Sequence, residues 1–90
     1  MSSIAGTLGF ANLSGYVMTK SAIIGLTKSL AAEFSDKNIR VNAIAPGFCK
    51  TSYFDNFKQN QDLYDFTLSR TPMNRWGDSE EIAKVCLFLA

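Results

Sequence analysis

The sequence has no histidine and only two cysteines among its 90 residues. Zinc sites in proteins are built mainly from histidine and cysteine, and Cys49 and Cys86 do not form a CxxC pair. The lack of histidine also excludes a Ser-His-Asp triad. The composition therefore argues against a metal site and against this type of hydrolase, and we interpret both cysteines as reduced, packed thiols.

Excess charge and long apolar runs are also absent. Nine basic and eight acidic residues give a net charge of +1, and the lysines and arginines are scattered along the sequence. No apolar run approaches the ~20 residues that a membrane-spanning helix needs, and residues 1–13 lack the basic start and apolar core of a signal peptide. We therefore expect a cytoplasmic protein that binds neither nucleic acid nor membranes.

The side chains that are present predict a folded α/β protein. A content of 47% hydrophobic and 19% charged residues is typical of a globular protein. Residues 2–5 resemble the end of a strand, and a helix is predicted from about Tyr16 to Phe34, with Ser14 as N-cap and an end around residues 35–38. The buried stripe of this helix is predicted to contain Ile23, Leu26, Leu30 and Phe34.

A second strand is predicted at residues 39–45, where apolar and polar side chains alternate before Pro46 and Gly47. Strand, helix and strand in this order predict a β-α-β unit with a parallel pair of strands. One or two short helices are predicted within residues 48–75. A last helix is predicted after Asp78, with Glu81 completing a capping box. Its apolar face contains Ile82, Val85, Cys86 and Leu89.

The first helix carries a tyrosine and a lysine four positions apart, Tyr16 and Lys20. This spacing places both side chains on one face of a helix. Taken alone, the pair needs no functional explanation, because tyrosine and lysine occur at this spacing by chance on many helices. Ser3 precedes Tyr16 by 13 residues at the end of a predicted strand, where loops above a parallel sheet present groups to ligands.

Four motifs occur along the sequence in this order: SSIAG, YVMTK, RVNAIAPGFCKT and RTPMNRWGDSEEIA. Together they resemble the C-terminal half of the short-chain dehydrogenase/reductase family, in the style of 3-oxoacyl carrier-protein reductases and gluconate 5-dehydrogenases. The resemblance implies that residues 1–90 form the C-terminal part of a single domain with a doubly wound, Rossmann-like parallel sheet. It also implies reversible hydride transfer between NAD or NADP and a small carbonyl or alcohol substrate.

The resemblance also assigns catalytic roles. It implies that Tyr16 is the general acid/base, that Lys20 activates it and binds the cofactor ribose, and that Ser3 hydrogen-bonds the substrate oxygen. A nearby ammonium group favours phenolate over phenol, which makes tyrosine usable as a base near neutral pH. Ser2 is adjacent to Ser3, but the family spacing selects Ser3, and we expect Ser2 to satisfy backbone groups.

Cofactor contacts after the second predicted strand are implied in the same way. The resemblance places the backbone around Phe48 and Cys49, together with the hydroxyl of Thr51, against the nicotinamide carboxamide. Pro46 and Gly47 belong to the same cofactor-binding stretch, although a strand-ending turn explains them equally well. The sulfur of Cys49 has no expected role.

The resemblance assigns residues 52–75 to a substrate-covering segment. Its aromatic side chains could close over a ligand, or they could pack on the domain. Trp76 and Gly77 are interpreted as structural residues before the last helix. The aromatic residues in question are Tyr53, Phe54, Phe57, Tyr64 and Phe66.

The family's glycine-rich cofactor turn is missing from these residues, so we expect them to be a fragment of a longer dehydrogenase. A full-length protein of this kind is expected to form a homo-oligomer, either a dimer or a tetramer. The alternative is a catalytically inactive remnant or oligomerisation module. Ile24 and Leu26, expected to be exposed apolar residues of the first helix, could serve either packing or oligomerisation.

Overall fold

The computed structural model describes residues 1–90 and contains helices joined by irregular segments. It divides into two compact units, Met1–Pro46 and Gly47–Ala90. None of its helices is both long and apolar enough to cross a membrane. The four α-helices are α1 (Ser14–Phe34), α2 (Phe54–Gln59), α3 (Gln61–Ser69) and α4 (Ser79–Leu89), and there are 3-10 helices at Ile4–Gly6 and Ser35–Lys37.

Helix α1 has nearly the predicted limits but a different N-cap. Ser14 is its first helical residue rather than its cap, and Leu13 takes the cap position without a side-chain hydrogen bond. The Leu13 carbonyl accepts the first helical bond from the Val17 N–H at 2.8 Å, which sets the start one residue earlier than the polar signal suggested. The helix ends as predicted, because Asn38 closes the following 3-10 turn with a left-handed φ of 56°.

The inward face of α1 differs from the prediction at one position. Ile23, Leu30 and Phe34 are half-buried as predicted, whereas Leu26 is 56% exposed and Ile24 is half-buried instead. A helix advances by about 100° per residue, so the half-buried side chains centre this face on Lys20 and Thr27. Leu26 lies about a third of a turn from that centre, which explains its exposure.

Residues 39–45 do not form a strand, and residues 1–90 include no β-strand at all, so the predicted partial sheet is not confirmed. The two segments that were expected to pair are still joined by two bonds. The Ser2 N–H donates to the Ile44 carbonyl at 2.8 Å, and the Ile4 N–H donates to the Pro46 carbonyl at 3.0 Å. The intervening bond of a parallel ladder would need an N–H at Pro46, which proline lacks.

The second unit is built around Trp76, which is 4% exposed. Four aromatic rings surround its indole with centroid distances of 5.0 to 6.2 Å: Phe48, Phe54, Phe57 and Tyr64. Phe54, Phe57 and Tyr64 therefore pack on the domain, which was one of the two predicted alternatives. Tyr53 and Phe66 are exposed instead. The structural role predicted for Trp76 is confirmed by this arrangement.

A buried hydroxyl holds the indole in place. Thr67 is 1% exposed, and its Oγ1 accepts a hydrogen bond from Trp76 Nε1 at 2.7 Å. The same hydroxyl donates to the Tyr64 carbonyl at 2.7 Å, so both functions of this group are used. Thr67 thus links α3 to the centre of the aromatic cluster.

Replacing Thr67 by valine is expected to lower the free energy of unfolding by about 1–3 kcal/mol, because the Trp76 N–H would remain buried without an acceptor. Urea denaturation of the wild type, Thr67→Val and Thr67→Ser measures this loss. The serine variant keeps the hydroxyl and should be less destabilised than the valine variant. A valine variant as stable as the wild type would show that the hydrogen bond does not contribute.

Helix α4 begins as predicted. Asp78 is its N-cap, and the reciprocal bonds of a capping box with Glu81 are both present. The predicted apolar face is only partly covered, because Ile82 and Leu89 are half-buried whereas Val85 and Cys86 are exposed. The start of this helix is therefore encoded locally, while its apolar face is not a buried stripe within these residues.

Candidate active site

Helix α1 brings together the tyrosine and lysine singled out by the sequence. Lys20 Nζ lies 5.5 Å from the centroid of the Tyr16 ring, within the range of a cation–π contact. Tyr16 is 47% exposed, so its ring remains accessible. The i, i+4 spacing on a regular helix is the direct cause of this juxtaposition.

Lys20 is held from two sides by the first residues of the sequence. Its Nζ donates to the Met1 carbonyl at 3.2 Å, and its own carbonyl accepts a bond from Ser2 Oγ at 2.7 Å. Ser2 is 4% exposed, and its hydroxyl bond to Lys20 is partly buried. The expectation that Ser2 satisfies a backbone group is confirmed, and the group belongs to Lys20.

Ser3 lies on the segment that Lys20 anchors. It is half-buried and caps the Ile4–Gly6 helix, with its Oγ accepting a bond from the Ala5 N–H at 3.2 Å. This bond uses an oxygen lone pair and leaves the hydroxyl proton available for donation. Ser3 makes no hydrogen bond to Tyr16 or Lys20, so these three residues share one unit without a direct polar link.

Gly6 allows this segment to approach α1 closely. A Cβ on Gly6 would lie 2.7 Å from Ser2 Oγ, 2.8 Å from Ile24 Cδ1 and 2.9 Å from the Lys20 carbonyl oxygen. The Gly6 carbonyl in turn accepts a bond from Ser21 Oγ at 2.9 Å. The sequence analysis did not single out Gly6, although its position directly after SSIA was a usable signal.

Pro46 and Gly47 fall at the junction of the two units. The Pro46 carbonyl accepts a bond from the Ile4 N–H, which gives this residue a structural role in the first unit. No glycine among the 90 residues has a positive φ, so the turn at Gly47 does not depend on the special conformational freedom of glycine. Both the turn interpretation and the cofactor interpretation of these residues stay predictions.

Cys49 forms a single parallel bridge with Gly77. The Gly77 N–H donates to the Phe48 carbonyl at 2.9 Å, and the Lys50 N–H donates to the Gly77 carbonyl at 2.8 Å. In this parallel bridge Gly77 makes both of its backbone bonds to Phe48 and Lys50, the residues on either side of Cys49. The N–H and carbonyl of Cys49 itself therefore point away from Gly77. The backbone N–H and carbonyl of Cys49 therefore lie on the side of residues 48–50 opposite Gly77.

The thiol of Cys49 is unsuited to nucleophilic chemistry. Burial raises its pKa above the ordinary value, and the negative charge of Glu81 raises it further. A raised pKa leaves less thiolate, which is the reactive form, at neutral pH. This agrees with the interpretation that the sulfur has no chemical role.

Thr51 stands just before α2. Its carbonyl accepts a bond from the Phe54 N–H at 2.9 Å, and its Oγ1 accepts a longer bond from the Tyr53 N–H at 3.4 Å. The hydroxyl proton takes no part in the Tyr53 bond and remains available to a ligand. Thr51 thus combines a local turn-forming role with a free donor.

Arg75 and Glu81 form an ion pair at the start of α4 that the sequence analysis did not predict. The Arg75 guanidinium donates to the two carboxylate oxygens of Glu81 at 2.9 and 2.6 Å, and Glu81 also accepts the Asp78 N–H at 2.7 Å. The bonds from Arg75 and then from the Asp78 N–H lower the pKa of Glu81 from 4.5 to about 2. The same pairing raises the pKa of Arg75.

This pairing predicts a specific response to acid. The pKa of Glu81 is lower in the folded state than in the unfolded state. The ionised Glu81 therefore stabilises the folded protein fully above about pH 5, and this contribution is lost as the pH falls toward about 2. Urea midpoints of the wild type should therefore fall more steeply between pH 5 and pH 2 than those of Glu81→Gln. Glu80→Gln, a change at the neighbouring position, should follow the wild type. Parallel curves for all three proteins would contradict the prediction.

Similarity to known proteins extends over all 90 residues. A family model described as enoyl-(acyl carrier protein) reductase matches residues 1–90. The 3-oxoacyl-(acyl-carrier-protein) reductase FabG of Thermotoga maritima is 42% identical over 90 residues, covering 100% of this chain and 36% of that protein. The chain therefore spans about a third of the length of this curated relative.

Two solved structures superpose closely on the chain. A protein from Agrobacterium tumefaciens, assigned as a 2-deoxy-D-gluconate 3-dehydrogenase and solved with bound NADP, gives a TM-score of 0.94 at 37% identity, covering 99% of this chain and 36% of its own. The complex of 4-hydroxyisoleucine dehydrogenase with NADH gives a TM-score of 0.92 at 34% identity, covering 98% and 36%. These neighbours are Rossmann-fold proteins. The family match along all 90 residues, together with these similarities, shows that the chain belongs to the short-chain dehydrogenase/reductase family.

Proposed function

We propose that the chain is the proton-transferring part of an NAD(P)-dependent oxidoreductase that interconverts a carbonyl and a secondary alcohol. The observation that carries this proposal is the pair on α1, in which Lys20 Nζ lies 5.5 Å from the ring centroid of the accessible Tyr16. The relatives support the reaction class, since they are reductases and dehydrogenases.

Tyr16 and Ser3 would act on the substrate oxygen. During reduction, the carbonyl π bond breaks as the carbon gains a hydride and the oxygen gains the Tyr16 hydroxyl proton. That hydride would come from a nicotinamide cofactor, whose chemistry is hydride transfer. The Ser3 hydroxyl, whose proton is not used in its bond with the Ala5 N–H, donates to the oxygen and stabilises its developing negative charge. In the oxidative direction, Tyr16 accepts the proton.

Lys20 has donors to spare for a cofactor. Its ammonium group carries three N–H donors, and the Met1 carbonyl accepts a single bond from it. The others can donate to the hydroxyls of a nicotinamide ribose. The neighbours bound to NADP and to NADH support either nucleotide as the cofactor.

The second unit offers groups that suit a carboxamide. An amide both donates and accepts hydrogen bonds, and the backbone carbonyl and N–H of Cys49 supply the matching pair. The Phe48 carbonyl already accepts the Gly77 N–H, which makes Cys49 the better candidate of the two. We assign the Thr51 hydroxyl to the same carboxamide, and Pro46 and Gly47 to the cofactor-binding turn. The exposed Tyr53 and Phe66 are assigned to the substrate cover of residues 52–75.

The substrate is proposed to be a small molecule with a ketone or secondary alcohol, either a sugar acid or polyol, or a 3-oxoacyl thioester. The gene product that includes these 90 residues should be assayed with NADH and NADPH against sugar acids and acetoacetyl thioesters. Oxidation of one of the two cofactors in the presence of a carbonyl substrate is expected. A folded protein that binds neither cofactor and turns over no substrate would contradict the proposal.

A second candidate is a non-catalytic module that associates with another copy of itself. Met18 and Leu26 on the outer face of α1 are exposed apolar side chains and favour such a contact. The enzyme is itself proposed to be a dimer or tetramer, so self-association alone does not separate the candidates. A protein that oligomerises in sedimentation experiments yet binds neither NAD(H) nor NADP(H) would favour the module.

A further inference from the structure

Lys50 is held by three consecutive residues at the start of α4. Its N–H donates to the Gly77 carbonyl at 2.8 Å, and its carbonyl accepts a bond from Ser79 Oγ at 2.8 Å. Its Nζ lies 3.0 Å from Asp78 Oδ1. The N–H, the carbonyl and the side chain of one residue are therefore all bound to one short stretch.

The stretch that holds Lys50 is itself well fixed. Asp78 caps α4, and its N–H is bound by the Glu81 carboxylate, which also pairs with Arg75. The ion pair between Lys50 and Asp78 is half-exposed and contributes little alone, as is usual for surface pairs. The backbone bond to Gly77 and the hydroxyl bond from Ser79 are therefore the important restraints.

These restraints determine how Cys49 is presented. The Cys49–Lys50 peptide group is held through the Lys50 N–H, and the Lys50–Thr51 peptide group is held through the Lys50 carbonyl. Gly77 thus holds both peptide groups of Cys49, because its N–H also binds the Phe48 carbonyl, whereas Ser79 holds the next peptide group, which carries the Thr51 N–H. Of the two important restraints, the Ser79 hydroxyl is the one that a side-chain substitution removes, since Gly77 acts through its backbone.

We propose that Ser79 is a positioning residue for the nicotinamide end of the cofactor, acting through the Lys50 carbonyl on Thr51. The inference rests on the proposed oxidoreductase function. Ser79 does not touch the cofactor in this scheme. Its role is to hold the segment that does.

Two substitutions remove the hydroxyl in different ways. Ser79→Ala removes it simply. Ser79→Pro removes it while keeping a good first helical residue, and the extended backbone of Asp78, with φ −89° and ψ 148°, suits the residue before a proline. Ser79→Thr keeps the hydroxyl and serves as the matched control.

The test compares ligands with and without a nicotinamide ring, using the gene product that includes these 90 residues. Ser79→Ala and Ser79→Pro should bind the reduced cofactor about five-fold more weakly, the effect of losing one hydrogen bond. Their affinity for ADP-ribose, or its 2′-phosphate if NADP is the cofactor, should be unchanged. Ser79→Thr should match the wild type for both ligands, and hydrogen exchange at the Lys50 amide should accelerate only in the alanine and proline variants.

The outcomes separate the inference from the function on which it rests. Equal weakening of cofactor and ADP-ribose would indicate a merely structural role and overturn the proposal. Unchanged affinity for both ligands in the alanine and proline variants would also overturn it while leaving the oxidoreductase assignment intact. A wild-type protein that binds neither NADH nor NADPH would reject the oxidoreductase function and this inference together.

Discussion

Tyr16→Phe is expected to lower the rate of carbonyl reduction by at least about 100-fold, the lower end of what general acid–base catalysis contributes. The substitution removes only the hydroxyl that would donate the proton. The ring itself stays, so the contact with Lys20 Nζ at 5.5 Å from the centroid can persist and the fold of α1 should be unaffected. Steady-state rates of cofactor oxidation measure the loss, and a titration with reduced cofactor should show that binding is retained.

Tyr64→Phe is the matched control for this experiment. Tyr64 lies in the other unit, where its ring packs against Trp76 with the centroids 6.2 Å apart, and its hydroxyl has no part in the proposed proton transfer. We expect kcat of this variant to remain within a few-fold of the wild type. Normal turnover by Tyr16→Phe would instead require a different proton donor and would remove the basis of the proposed mechanism.

Gly6→Ala is expected to lower the free energy of unfolding by about 1–3 kcal/mol, the usual cost of overpacking an interior contact. The new Cβ would lie within 3 Å of Ser2 Oγ, Ile24 Cδ1 and the Lys20 carbonyl oxygen. The Lys20 carbonyl belongs to the backbone of α1 and cannot rotate away, so the Ser2 segment would have to shift. This shift would strain the Ser2–Lys20 hydrogen bond and displace the neighbouring Ser3.

Gly77→Ala provides the control for the glycine substitution. A Cβ there would lie 3.5 Å from Cys49 Sγ, 3.6 Å from Glu81 Oε2 and 3.8 Å from the Phe48 carbonyl oxygen, all ordinary contact distances. We expect its stability to change by less than about 1 kcal/mol in either direction. Urea denaturation of both variants tests the pair. If Gly77→Ala were the more damaging, the close approach at Gly6 would not be the controlling contact.

The helices were predictable because their signals are local. The capping box of Asp78 and Glu81 lies within four residues, and Asn38 ends the α1 region with a conformation that asparagine tolerates. The choice between Ile24 and Leu26 as the inward residue was not predictable in the same way. Both are apolar neighbours of the stripe, and the side chain of Ile24 is the one that packs against Gly6 in the folded protein.

The strand prediction failed for a reason that lies outside the predicted segment. Residues 39–45 have the alternation of a strand, but a strand also needs a continuous partner. The only ladder available joins this stretch to Ser2 and Ile4, and it is interrupted at Pro46. Pairing of this kind depends on residues more than 40 positions apart, which no local pattern specifies.

The candidate site was predictable in part for the same reason. Tyr16 and Lys20 meet because helical periodicity dictates it, and this could be read from the spacing alone. The bonds from Lys20 to Met1 and from Ser79 to Lys50 join residues 19 and 29 positions apart. They involve backbone carbonyls, which carry no sequence signature, so only the folded protein reveals them.

The burial of Trp76 has a practical consequence for following the two units. It is the only tryptophan of the sequence and lies within Gly47–Ala90, surrounded by aromatic rings. Its emission therefore reports the melting of that half alone, whereas far-UV circular dichroism reports helices in both halves. Coincident transitions of the two signals would mean that Met1–Pro46 and Gly47–Ala90 melt as one cooperative body, and separate transitions would give each half a stability of its own.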